Sequence, residues 1–371
     1  FQRFSFKINN IHLFIPNYYM KNLKNINIYE GGISSIPGKK DVVKVSSNES
    51  PFGPSISVKK AISESRLKTN KYPDGNCIEL KEAISKSFKL KSSNLFVGNG
   101  SDEILGIACQ LFLNKGDEVI VPKHSFLMFE IYSKISGGVI KRSATKNLRV
   151  DLESLLKSIT KKTKMIFIAQ PNNPTGFYLS KKDLAVMIKK IPKKIMIIID
   201  AAYAEYMTDN DYSNGLEFAQ KNKNVIVTRT FSKIYGLASL RLGWCYAHSN
   251  IISSMNKVRG PFNVNQLAQV AGIQALKDKK YTSNSKKHNT LWLNIMNKEL
   301  SKLPIKVYDS RANFLLIDVG KSVSKLNKYL LSKSIIIRLM DKYKLPSCVR
   351  VSIGTANENK KVIKAFKDFY K

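Results

Sequence analysis

The feature that most constrains this chain is an alternation. Apolar, strand-like runs occur at NLFV (94–97), DEVIVP (117–122), GGVIKR (137–142), KMIFIA (164–169), KIMIIID (194–200), NVIVTR (224–229) and SLRLGWCYA (239–247). Helix-patterned segments such as DEILGIACQLFL, DLESLLKSI and KKDLAVMIKKI lie between many of them. Continuous apolar strands separated by amphipathic helices predict an α/β fold, with a mostly parallel sheet covered on both faces. After about residue 270 the pattern changes. A long polar helical stretch (about 276–302) leads to KVYDS, NFLLIDV, SIIIRLM and CVRVSIGT, and ENKKVIKAFKDFY closes the chain as a helix. That is a smaller α+β unit. The expected organisation is an extension over 1–19, a segment 20–54 packing with the small unit, a large unit over 55–270 and a small unit over 271–371.

In an open α/β sheet, ligands bind beyond the carboxyl ends of the strands. NLFV is followed by GNGSDE. Gly98 and Gly100 permit close backbone approach. Ser101 is placed to cap the next helix, and Asp102 and Glu103 suit its positive end. The result is either an anion site or a plain capped turn. KMIFIA runs into QPNNPTG, a stiff loop with two side-chain amides or an ordinary turn. KIMIII ends on Asp200, followed by Ala-Ala-Tyr203. A carboxylate ending a buried apolar strand is costly unless a cation meets it, a helix-capping role being the alternative. NVIVTR leads to Lys233, flanked by Thr230 and Ser232. A lysine on a loop is usually solvated, but one held in a pocket can act as a Schiff-base amine. Together the four strand ends offer a phosphate cradle, two amides, a carboxylate with a phenol, and a lysine. That combination describes a site for pyridoxal 5′-phosphate.

The stretches SSNESPFGPS, KYPDG, VGNGSDEIL, PNNPTG, DAAYAEY, RTFSKIYGLASLRLGW, VRGPFNVN, ANFLL and VRVSIGT, in this order, resemble the fold-type I aminotransferases. Within that group the likeness is to the histidinol-phosphate aminotransferase family, from about Tyr29 to the C-terminus. The resemblance implies a pyridoxal-phosphate-dependent transaminase of histidine biosynthesis, working as a homodimer in the cytoplasm. It implies that Lys233 forms the internal aldimine, that Asp200 holds the ring nitrogen protonated, and that Asn173 and Tyr203 contact the ring's 3-oxygen. Gly100, Ser101 and Asp102, with Thr230, Ser232 and Arg241, would cradle the phosphate, and Phe126 would stack on the ring. Tyr72 would reach a neighbour's cofactor across the dimer interface. Arg350 and Arg338 would grip substrate anions, with Asn48 and Tyr29 at the substrate entrance. Phe126 replaces the common aromatic hydroxyl, Ala201 stands in an Asp-Ala-Ala-Tyr run where Asp-Glu-Ala-Tyr is common, and Ser50 stands for the usual Asn. Stacking needs only the π-face, so these changes tune the site. Threonine-phosphate decarboxylation and aromatic transamination are the alternatives on the same fold.

Composition adds limits. Sixty-two Lys and Arg against 27 Asp and Glu give a formal charge of +35. Lysine is spread throughout, with no basic stripe interleaved with aromatics, so a specific nucleic-acid partner is not expected. A polyanion-binding protein on an inactive scaffold would have lost Lys233, Asp200, Asn173, Tyr203 and Arg241, which are all present. Cys77, Cys109, Cys245 and Cys348 lie far apart in apolar segments and read as buried thiols in a reducing compartment. No metal-ligand cluster and no membrane-spanning run stands out. Residues 1–19, before Met20, read as upstream sequence or a disordered extension.

Overall fold

A computed structural model describes residues 26, 29, 31–65 and 70–371. The expectations for residues 1–19 and Met20 fall outside them. Among the described residues there are fifteen strands: β1 Val43–Lys44, β2 Leu95–Gly98, β3 Glu118–Pro122, β4 Val139–Ser143, β5 Thr145–Lys146, β6 Arg149–Val150, β7 Thr163–Ala169, β8 Met196–Asp200, β9 Val225–Thr230, β10 Gly243–Tyr246, β11 Lys306–Tyr308, β12 Phe314–Asp318, β13 Ile335–Ile336, β14 Arg338–Leu339 and β15 Cys348–Ser352. Seven form one sheet in the order β2-β10-β9-β8-β7-β3-β4. Only β10 runs against its neighbours. The other six point the same way, so their carboxyl ends share one edge.

The apolar runs work as strands because both faces of this sheet are buried. Successive side chains alternate between two cores. Met165, Phe167, Ile198 and Ile226 pack into one with the helix Gly100–Phe112. Ile166, Ile168, Ile197, Ile199, Val225 and Val227 pack into the other with the helices Ile78–Phe88 and Lys181–Lys190. All four cysteines are free and buried.

The chain past Gln266 is helical over Gln266–Lys277 and Lys279–Leu300, and then builds an antiparallel sheet β11-β12-β15-β14 backed by Ala356–Tyr370. That last helix starts with a capping box between Thr355 and Glu358. β1 pairs in parallel with β13, and Val43 and Val45 enter the core of this second unit.

Two local expectations are corrected. SLRLGWCYA is a strand only over Gly243–Tyr246; Ala238–Leu240 is a 3-10 turn, and Arg241 takes a left-handed φ of +53°. That turn reverses the chain so that β10 begins at the carboxyl edge. Ser101 does not cap the helix beginning at Gly100. Asn99 occupies the cap, and its backbone N–H donates to Glu103 at 2.6 Å.

Candidate active site

The common carboxyl edge brings five loops together. They surround a cavity of about 210 Å³ whose lining includes Ser101, Asp102, Phe126, Asn173, Asp200, Tyr203, Thr230, Ser232, Lys233 and Arg241. The N-terminal segment adds Tyr29 and Asn48, and the C-terminal sheet adds Arg338 and Arg350. Of the residues to which the resemblance gives a site role, only Gly100 and Tyr72 are absent from the lining. Gly100 lies directly behind it: at φ +82°, a Cβ there would sit 2.5 Å from Nη2 of Arg241. Tyr72 is 81% exposed, with its ring stacked on Phe262 at 4.4 Å between centroids.

Lys233 is drawn inward by its loop, so the solvated reading fails. Its Nζ donates to the Ser47 carbonyl at 3.4 Å and stands 5.6 Å from the centre of the Tyr203 ring. Burial, then the Arg350 charge, lowers its pKa from 10.5 to about 8. Asp200 ends β8 and is not a helix cap. Thr228, its partner in register on β9, donates to Oδ1 at 2.8 Å. Burial raises the Asp200 pKa to about 6 against that hydrogen bond. Tyr203 accepts from Asn48 Nδ2 at 2.9 Å, and burial raises its phenol to about 12.

The two amides of PNNPTG separate. Asn172 is fully used inside the loop, accepting from Ser125 at 2.9 Å and donating to the His124 carbonyl and to Thr175. Asn173 faces the cavity and accepts from Arg350 Nη1 at 2.5 Å. Arg350 also donates through Nη2 to the Ser46 carbonyl at 2.9 Å, while its buried Nε has no partner. At the β2 end, Arg241 donates to Ser232 Oγ at 3.3 Å, to the Ala238 carbonyl at 3.0 Å and to Asp102 at 3.1 Å. Four cations, Lys233, Arg241, Arg338 and Arg350, line the cavity against two carboxylates, Asp102 and Asp200. Its chemistry therefore favours an anionic ligand that also presents a cation to Asp200.

The N-terminal segment is tied to β15 across the cavity's base. Asn48 N–H donates to Ser352 Oγ at 2.9 Å, Ser352 Oγ donates to Asn48 Oδ1 at 3.0 Å, and Asn313 donates to the Asn48 carbonyl at 3.0 Å. Sequence reasoning missed Ser47, Thr228 and Tyr343. Thr228 becomes visible only once the β8–β9 register is known. Tyr343 sits in a short turn without motif character, yet its buried ring lines the cavity.

This arrangement is that of a fold-type I transferase, and the chain belongs to the class I and II aminotransferases, whose family pattern matches residues 40–366. Within them it falls among the histidinol-phosphate aminotransferases. It is 45% identical to the histidinol-phosphate aminotransferase of Pelagibacter ubique, over 93% of this chain and 97% of that one. It is 40% identical to the enzyme of the same name from Paramagnetospirillum magneticum, over 94% and 97%. The solved histidinol-phosphate aminotransferase of Sinorhizobium meliloti, in complex with pyridoxal-5′-phosphate, superposes with a TM-score of 0.84 at 26% identity, covering 90% of this chain and 93% of that chain.

Proposed function

We propose that this protein moves the amino group of histidinol phosphate to 2-oxoglutarate, using pyridoxal 5′-phosphate held by Lys233, in the histidine pathway of the cytoplasm. The observation that carries this reading is the convergence of Lys233, Asp200 and Arg350 on one cavity. The residues fit the cofactor by their chemistry. Gly100 lets the Arg241 guanidinium approach where a Cβ would collide with it, Ser232 sets its hydroxyl 3.3 Å from that guanidinium with Ser101 and Thr230 in the same lining, and the buried Asp200 needs a cation.

When bound, the cofactor supplies a ring that withdraws electrons from the substrate carbon bearing nitrogen. Asp200, whose Oδ1 accepts from Thr228, would hold the ring nitrogen and keep a proton on it. Phe126 would offer the ring an apolar wall. Asn173 and the Asn48-held Tyr203 would hold the ring edge. Lys233 Nζ, with its pKa lowered to about 8, would take up and return the proton at the substrate carbon bearing nitrogen. General acid–base help of this kind contributes roughly 10²–10⁴ in rate. Arg350 and Arg338 present planar donors that suit phosphate in one half-reaction and carboxylate in the other.

We further propose a homodimer in which Tyr72 reaches the neighbouring site. Its exposure, with its ring stacked on the 41%-exposed Phe262, supports that surface as the contact. No helix among the described residues is long and apolar enough to cross a membrane. The test compares amino transfer to 2-oxoglutarate from histidinol phosphate, tyrosine and threonine phosphate. Preferred turnover of histidinol phosphate is expected, whereas faster transfer from tyrosine, or carbon dioxide release from threonine phosphate, would overturn the assignment.

A further inference from the structure

A second cavity, of about 140 Å³, adjoins the first and shares Tyr29, Arg338 and Tyr343 with it. The rest of its lining has a different character. Lys123 follows β3 directly, Lys342 and Lys344 flank Tyr343, and Lys134 and Arg142 are also in the wall. The one carboxylate in this wall, Glu130, is engaged by Arg142, whose Nε and Nη2 reach it at 2.8 and 2.5 Å.

The lysines come from two parts of the fold that are fastened together. His124 Nδ1 lies 3.0 Å from the Tyr343 carbonyl, and Leu127 packs with Met340, Tyr343 and Leu345. Lys123 is thereby held near Lys342 and Lys344, all three exposed. Gathering like charges around a concave surface is unfavourable in the empty protein, and it focuses positive potential at that opening. The general excess of lysine spreads charge everywhere; this wall concentrates it next to the reaction cavity, with Arg338 and Tyr343 on the boundary.

We propose that the second cavity is an anion-capture vestibule, in which Lys123, Lys342 and Lys344 hold phosphate monoester dianions before they pass Tyr343 and Arg338 into the reaction cavity. This rests on the reading that the amine substrate is phosphorylated. Its consequence is kinetic: capture raises kcat/KM and leaves kcat alone, because these lysines lie outside the reaction cavity.

The experiment uses the cofactor-loaded enzyme carrying K123Q, K342Q and K344Q, beside a control carrying K189Q, K190Q and K194Q. The control removes the same charge at the opposite, amino edge of the sheet. At low ionic strength the vestibule variant is expected to lose about ten-fold in kcat/KM for histidinol phosphate, the low end of electrostatic steering effects, with kcat unchanged and a flatter dependence on salt. Unphosphorylated histidinol should show no such loss, and the control should behave as wild type. A vestibule variant indistinguishable from the control overturns the proposal. Should wild type fail to turn over histidinol phosphate, the proposed reaction falls, and the vestibule is then judged by ³¹P line broadening of inorganic phosphate. Broadening that is weaker in the vestibule variant than in the control supports it; equal broadening in both refutes it.

Discussion

Asp200 supplies a sharp test because the cofactor-free protein carries it at a cost. Its carboxyl is buried, with Thr228 as its hydrogen-bond donor, and its pKa rises from 3.8 to about 6. Well below pH 3.8 the group is neutral in both folded and unfolded chains and contributes no difference. As pH rises through the window from about 4 to 6, the unfolded chain releases its proton first, so the folded state loses stability. Above about pH 6 the loss is constant, and two pKa units correspond to about 3 kcal/mol. Asp200→Asn keeps an oxygen for Thr228 and removes the charge. In cofactor-free protein the variant should match wild type near pH 3 and exceed it by up to about 3 kcal/mol at pH 7. Urea unfolding followed through the buried Trp244 would measure this. The same variant should bind the cofactor more weakly, since the ring nitrogen loses its counter-charge. If the two stability curves run parallel from pH 4 to 7, Asp200 is not a penalised charge and the reasoning about its ring partner fails.

Lys233 has the opposite sign, its pKa falling to about 8, so the rate at which cofactor-free enzyme bonds pyridoxal 5′-phosphate should climb as pH rises through 8 and then level off. Lys233→Ala should abolish the resulting visible absorbance band. Gly100→Ala should raise the dissociation constant for the cofactor about ten-fold, measured by fluorescence titration, because the new methyl displaces the Arg241 guanidinium. Glu205→Gln should destabilise the fold by about 3–5 kcal/mol in urea unfolding. It removes the charge paired with Arg229 at 2.7 Å, and Arg229 is buried with Nε and Nη1 already lacking partners.

The strands of the large sheet were legible because burial on both faces leaves continuous apolar runs such as KIMIII. Lys233 and Asp200 were legible as candidate site residues because a charge ending such a run needs a reason. The left-handed turn at Arg241 was not, since the guanidinium it places finds Asp102, which is remote in sequence. Neither was the division of labour between Asn172 and Asn173: both are turn-forming amides, and only the loop's path decides which faces inward. The β1–β13 pairing joins two-residue strands almost 300 positions apart, too short for any periodic signal. Ser47 contributes a backbone carbonyl, which no side-chain pattern can announce.

The knot of hydrogen bonds joining Asn48 to Ser352, and Arg350 to the Ser46 carbonyl, has a consequence for synthesis. The segment around Asn48 must wait until Ser352, 304 residues further along, has been made before its partners exist. The nascent protein therefore cannot close this pocket before β15 emerges. A chain cut between β10 and β15 would keep every strand of the central sheet and lack Arg350 and Ser352.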